Sequence, residues 1–199
     1  MRMFFASQEM QADYKRFRDL VIINRKFVKT KYKAAITMFY GVDSYGVSVP
    51  FGFSFVHGNE DPDKEWIIDQ FLKCHIMLEP HQFIIDHNSG IKHFLKRKCK
   101  TSKIVYCNTH FTNSLKHEFA VNKLFEACSK ENKEALLFLV EKPLPDEELR
   151  DQLKALKEKA AQEENLRNFI ESRESDFKYW SKKRYLNSLT YGVDTYARN

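Results

Sequence analysis

The 199-residue chain is 43% hydrophobic and 30% charged, which supplies a core for one domain, or one domain plus an attachment, and excludes a mainly disordered protein. Its 33 Lys and Arg against 27 Asp and Glu leave a formal charge of +6, compatible with a polyanionic partner without naming one. No apolar run reaches the roughly 18 residues of a membrane helix, the start MRMFFASQEM is too short in apolar residues for a signal peptide, and Cys74, Cys99, Cys107 and Cys128 form no C-x-x-C pair. A soluble, intracellular protein with reduced thiols is expected, and no membrane partner.

In chain order, Asp19–Asn24 (DLVIIN) is a short apolar run carrying Val and Ile and reads as a buried strand. Ala34–Tyr40 and Val47–Val56 flank Gly41-Val-Asp-Ser-Tyr-Gly46, whose glycines and Asp43 supply turn chemistry, so the two form a hairpin. A helix is expected from Pro62, carrying Trp66, Ile67, Phe71, Leu72 and Cys74 to Leu78 at helical spacing and stopping before Pro80. Phe83–Asp86 (FIID) is a further short strand, ended by His87-Asn-Ser-Gly90, from which a helix with Ile91, Phe94 and Leu95 can start. Lys103–Tyr106 (KIVY) is the fifth strand.

Beyond Cys107 the pattern is helical: about Thr109–Cys128, Lys133–Val140, and a long segment from Asp146 to about Tyr185, with Pro143 and Pro145 between the last two. Leu149, Leu153, Leu156 and Ala160 make a 4-3-4 seam that Glu163 and Arg167 interrupt before Ile170. Such a seam serves either a helix packed on its own domain or an intermolecular coiled coil. Phe39, Phe51, Phe53, Phe55 and Phe71 fall on strand and helix positions and are expected in the core. Strand, hairpin, helix, strand, helix, strand and then helices define an α/β fold, a mixed sheet with helices on its faces.

Metal-assisted phosphodiester chemistry needs two or three carboxylates from different segments, because two cations about 3.5 to 4 Å apart share oxygen ligands. Asp86 closes an apolar strand before a polar turn, the place where an open α/β sheet presents a ligand. A solvated or capping aspartate has the same local pattern.

From about Phe17 to Phe111 the chain resembles the Mutator-like element (MULE) transposase domain, which is shared with far-red-impaired-response-type transcription factors. The landmarks are Asp19-Leu-Val-Ile-Ile-Asn24, Phe27-Val-Lys-Thr-Lys-Tyr32, the turn Gly41–Gly46 followed by Val49-Pro-Phe-Gly52, Glu65-Trp66 with Phe71-Leu72, Ile84-Ile-Asp86, and Cys107-Asn-Thr-His110, in family order. The resemblance implies a ribonuclease-H-like core of three antiparallel strands followed by two parallel strands over residues 17–111, after a lead-in over 1–16. A helical insertion region over 112–199 follows, ending before the expected final glutamate. It also implies a DDE-type DNA strand-transfer activity with Mg²⁺ or Mn²⁺, DNA as partner and a nuclear location, and it leaves self-association open.

Carried over residue by residue, the first family acid falls on Asn24 and the second on Asp86. Asn offers a neutral carbonyl oxygen, so binding of a hard divalent cation is weakened. Asp19 is a poor substitute, five residues away and on the other face of a strand. The third acid would follow a segment similar to Tyr185–Asn199; Glu163, Glu164, Glu171 and Glu174 lie in charge-rich helical surroundings and read as surface. Cys107 and His110 match the family's C-x-x-H signature, yet with only His117 nearby they fall short of four zinc ligands, and zinc is not expected. Arg25, Lys26, Lys29, Lys31 and Lys33 crowd the stretch after the first strand, with Lys96-Arg97-Lys98, Lys100 and Lys182-Lys183-Arg184 as further clusters. Such clusters hold phosphates at a DNA-cutting site or form a solvated face. The functional expectation is a MULE-type transposase domain with a degenerate acidic set; the alternative is a domesticated DNA-binding or transcription-regulatory protein without catalysis.

Overall fold

The computed structural model describes residues 1–27, 34–58, 60–174, 176 and 179. The chain divides into two compact units, Met1–Val105 and Tyr106–Asn199.

The first unit opens with strand β1 (Arg2–Phe5) and helix α1 (Gln8–Phe17), whose N-cap Ser7 accepts a hydrogen bond from Met10 N at 3.1 Å. Then follow β2 (Leu20–Phe27), β3 (Ala34–Val42), β4 (Ser48–His57), α2 (Asp61–Cys74), β5 (Gln82–Ile85), α3 (Lys92–Lys98) and β6 (Lys103–Tyr106). They build one six-stranded mixed sheet in the order β1-β4-β3-β2-β5-β6. β2 is antiparallel to β3 and parallel to β5, so the first strand expected from the sequence is the strand at which the sheet changes direction.

Two corrections to the five-strand expectation follow. A sixth strand, β1, adds to the hairpin edge and pairs antiparallel with β4; the run Met1–Phe5 satisfies β4's outer edge, which would otherwise stand open. β2 also runs three residues past Asn24, because it goes on pairing with β3 as far as Phe27↔Ala35 after its pairing with β5 has stopped at Ile23↔Ile85. The helix expected to reach Leu78 ends at Cys74 instead. Ile76 and Met77 both take left-handed backbone angles, each with φ of 56°.

The core of the first unit is an aromatic stack between α1, α2 and one face of the sheet. Tyr14 of α1, fully buried, lies edge-on to Phe51 and Phe71 with centroids 5.2 and 5.4 Å away, and Phe39 stacks on Phe71 at 4.3 Å. Each such ring stabilises the fold by about 1.5–3 kcal/mol through burial alone. A Cβ at Gly41 would collide with the Phe51 ring, so the glycine there answers a packing need besides its turn chemistry. His75, 2% exposed, stacks on Tyr14 at 4.0 Å, its Nε2 3.1 Å from the Phe51 carbonyl oxygen. Burial lowers its pKa to about 4; burial also pushes the Tyr14 phenol well above its ordinary range.

The second unit is helical: α4 (Asn108–Val121), α5 (Lys130–Glu141), α6 (Asp146–Lys159) and α7 (Glu164–Glu174). The single long helix expected from Asp146 is therefore broken, and the break falls where Glu163 leaves the seam. Its carboxylate accepts from Ser129 N at 3.1 Å and from Asn132 Nδ2 at 2.9 Å. Burial opposes its ionisation, but those hydrogen bonds outweigh it and hold the pKa below the usual carboxylate range. Leu149, Leu153, Leu156 and Ala160 are all buried, so the 4-3-4 seam packs within its own unit rather than serving a coiled coil.

Two outcomes are expected. The unfolded chain protonates a histidine near 6.5 and the folded chain at about 4, so between these values the unfolded state binds more protons. The stabilisation from neutral His75 is complete above pH 6.5 and is lost as pH falls towards 4, about 3 kcal/mol in all. Urea unfolding at pH 7.5 and 4.5 should show that drop in the wild type and a smaller one in His75→Phe; equal drops would contradict it. Separately, Ile76→Gly should raise stability by about 0.5–1 kcal/mol, since left-handed angles cost a non-glycine residue about 1–2 kcal/mol and glycine's own entropy returns only part of that. A lowered thermal midpoint would contradict the strain.

Candidate metal edge of the sheet

Parallel pairing runs Leu20↔Gln82, Val21↔Phe83, Ile22↔Ile84, Ile23↔Ile85. One step further along the same register, Asn24 stands level with Asp86. Side chains of register partners in a parallel pair project from the same face, about 4.8 Å apart along the hydrogen-bonding direction. The two positions that the resemblance singled out therefore each follow the last paired residue, where β5 ends and β2 continues with β3 alone, the end of the strands at which open α/β sheets bind ligands.

Asp86 has a structural task there. It is extended, with φ of −71° and ψ of 134°, and caps the short 3-10 turn His87–Ser89. Its Oδ1 accepts from Asn88 N at 3.0 Å, its carbonyl oxygen accepts from Ser89 Oγ at 2.6 Å, and His87 Nδ1 stands 3.2 Å from the same Oδ1. Capping and ligation are compatible, since a carboxylate presents about four lone-pair directions. Asn24 is half-buried, and its neighbour on β3 is Met38, which adds no oxygen. The edge thus offers one carboxylate and one amide. Among the described residues no three His, Cys, Asp or Glu side chains gather as a metal site, and this donor set does not fit a pair of divalent cations.

The two described members of the first basic cluster, Arg25 and Lys26, fall within β2 and alternate between its faces. Arg25 pairs across the sheet with Thr37, and Thr37 with Ser54, both buried. That row lies on the face opposite Asn24. Arg25 Nη2 points to the Gly58 carbonyl oxygen at 3.5 Å, and burial lowers its pKa while nearby Asp63 raises it. Asp63 is itself gripped by Arg2 Nε at 2.8 Å. Arg25 thus belongs to a brace between the end of β2 and the start of α2, a role the sequence concealed because Asp63 lies far along the chain and in a helix N-terminus where acids are ordinary. Lys26 is exposed and shares the face of Asn24. Lys29, Lys31 and Lys33 lie outside the described residues, as do Lys182, Lys183 and Arg184. Of the second cluster, Arg97 and Lys98 are bound to Glu65, and Lys98 also to Asp69 at 2.7 Å, which fastens α3 to α2 and neutralises those cations.

Cys107 and His110 sit in the second unit, at the N-cap and first turn of α4. Cys107 is fully buried, with Sγ 3.3 Å from His110 Nδ1. Beside them Asn108 Nδ2 donates to the Val140 carbonyl oxygen at 3.1 Å, tying α4 to α5. His117 is exposed further along α4.

A mixed sheet with a direction change at β2, carrying an acid and an amide at that point, defines an α/β domain with a candidate ligand crevice. Residues 20–114 match the family model of the MULE transposase domain, as the landmarks in the sequence had implied. No curated protein matches the chain.

Asp86→Ala removes the turn's cap and should destabilise the fold by about 1 kcal/mol, read as a shifted urea midpoint with an unchanged slope. An unaltered midpoint would mean that Asp86 does not hold the turn.

Proposed function

We propose that the first unit is a ribonuclease-H-like MULE transposase core that contacts DNA but, with Asn24 in the position of the first acid, does not cleave or transfer strands on its own. The observation that supports this reading is the parallel pairing that ends at Ile23↔Ile85: Asn24 and Asp86 are the next residues of the two segments, and one of these family positions carries no charge. In-line attack on phosphorus by the two-cation route requires both charges to hold the metals and offset their mutual repulsion. A neutral amide beside a carboxylate supplies one strong donor.

Charge supports the DNA part of the reading. The unit Met1–Val105 contains 17 of the 33 Lys and Arg and 11 of the 27 Asp and Glu, so the whole excess of six positive charges belongs to it. A polyanion partner for this unit in particular is consistent with that division. The same division favours the second reading, a transposase-derived protein retained for DNA contact or regulation.

The test is Mn²⁺-dependent nicking of supercoiled plasmid by the wild type, Asn24→Asp and Asp86→Asn. The wild type should leave the plasmid intact, and Asn24→Asp should bind Mn²⁺ at least about tenfold more tightly by calorimetry, an added carboxylate ligand contributing more than about 1.4 kcal/mol. Nicking by the wild type that Asp86→Asn abolishes would overturn the claim of incomplete catalysis.

A further inference from the structure

The connection from α2 to β5 lies at the edge where β2 and β5 begin, the opposite end of those strands from Asn24 and Asp86. Ile76, Met77 and Leu78 are 67%, 62% and 37% exposed there. Three adjacent apolar side chains in water, two of them in the left-handed region that glycine or asparagine occupies more readily, form a firm projection. Tyr14 Oη donates to the Leu78 carbonyl oxygen at 2.6 Å and Arg18 Nη1 to that of Glu79 at 2.7 Å, so α1 clamps it from behind.

The surroundings are cationic. The two hydrogen bonds bring the last turn of α1, with exposed Lys15 and Arg16, against the projection, and exposed Lys73 ends α2 just before it. Lys100, also exposed, is tied in through its backbone N–H to the Glu79 carboxylate at 3.2 Å. Two acids of this edge are engaged internally: Glu79 takes the N–H groups of Lys100 and Thr101, and Asp19 holds His81 Nδ1 at 2.9 Å. In contrast to Arg97 and Lys98, bound to acids of α2, these cations face solvent.

We infer that this edge is a second DNA contact, in which Ile76 and Met77 wedge into the minor groove between base pairs while Lys15, Arg16 and Lys73 hold the flanking phosphates. Apolar wedges of Ile, Met or Leu unstack a base step and bend a duplex towards the major groove, and cations beside them carry the salt-sensitive part of the affinity. The cations that flank the patch, in a unit that holds the chain's whole excess of positive charge, suit a polyanion. The inference rests on the proposed DNA-contacting function and adds a place and a mode of contact.

The test uses the full chain and a mixed-sequence duplex carrying 2-aminopurine. The wild type should raise the probe's fluorescence as a base step opens. Ile76→Asn/Met77→Asn, chosen because asparagine accepts left-handed angles, should lose most of that rise and keep its salt dependence. Lys15→Gln/Arg16→Gln/Lys73→Gln should lower the slope of log K against log salt by about 2 to 3. Circular dichroism melts show whether each variant is folded. If the wild type binds the duplex and neither variant differs from it, this contact is refuted and the proposed function stands; if the wild type binds no duplex at all, both fall. Binding to vesicles of 30% phosphatidylserine that both variants lose, with duplex binding unchanged, would reassign the edge to a lipid surface and overturn the inference.

Discussion

The parallel pairing of β2 with β5 is the constraint from which the rest of the molecule's chemistry follows. Four register pairs, Leu20↔Gln82 to Ile23↔Ile85, join two strands whose side chains are buried on both faces, so a slip would force close-packed side chains of different shape into one another's places. Asn24 and Asp86 are the first polar residues past that apolar block on either strand. Their placement at the same end of the two strands is thus a product of the hydrophobic pairing behind them and needs no attraction of their own.

The same logic separates the residues that face the crevice from those that support it. Alternation along β2 puts Asn24 and Lys26 on one face and Arg25 on the other, among Thr37, Ser54 and the Asp63 brace. A cluster that is continuous in the chain is split in space. On the Arg25 face the aromatic stack of Tyr14, Phe39, Phe71 and neutral His75 fixes the helices to the sheet, and from α1 Tyr14 and Arg18 bond the carbonyl oxygens of Leu78 and Glu79 just past left-handed Ile76 and Met77.

Much of this was legible in the residues. Short apolar blocks and a turn-bearing hairpin sufficed for five of the six strands of a mixed sheet, because buried strands carry a local periodicity; the pair Asn24 and Asp86 came from the resemblance alone. What escaped was set by partners distant in the chain. β1 was hidden because Arg2–Phe5 is too brief to signal a strand until β4 presents an open edge. The early end of α2 was hidden because Ile76 and Met77 have no propensity for left-handed angles, and the break before α7 because Glu163 gains its partners Ser129 and Asn132 only in the folded unit. For Asp86, the pattern could not choose between cap and ligand; the structure shows the cap, and ligation remains the proposal.

If the β2/β5 register continues one step beyond Ile23↔Ile85, positions 24 and 86 face each other, and cross-linking reads this directly. Neighbouring parallel strands lie about 4.8 Å apart, within the span that a disulfide bridges. In Asn24→Cys/Asp86→Cys, mild oxidation should give a tryptic peptide pair linked between these two positions as the dominant species by mass spectrometry. Linkage of either new cysteine to another thiol instead, with the protein folded, would contradict the register on which the account is built.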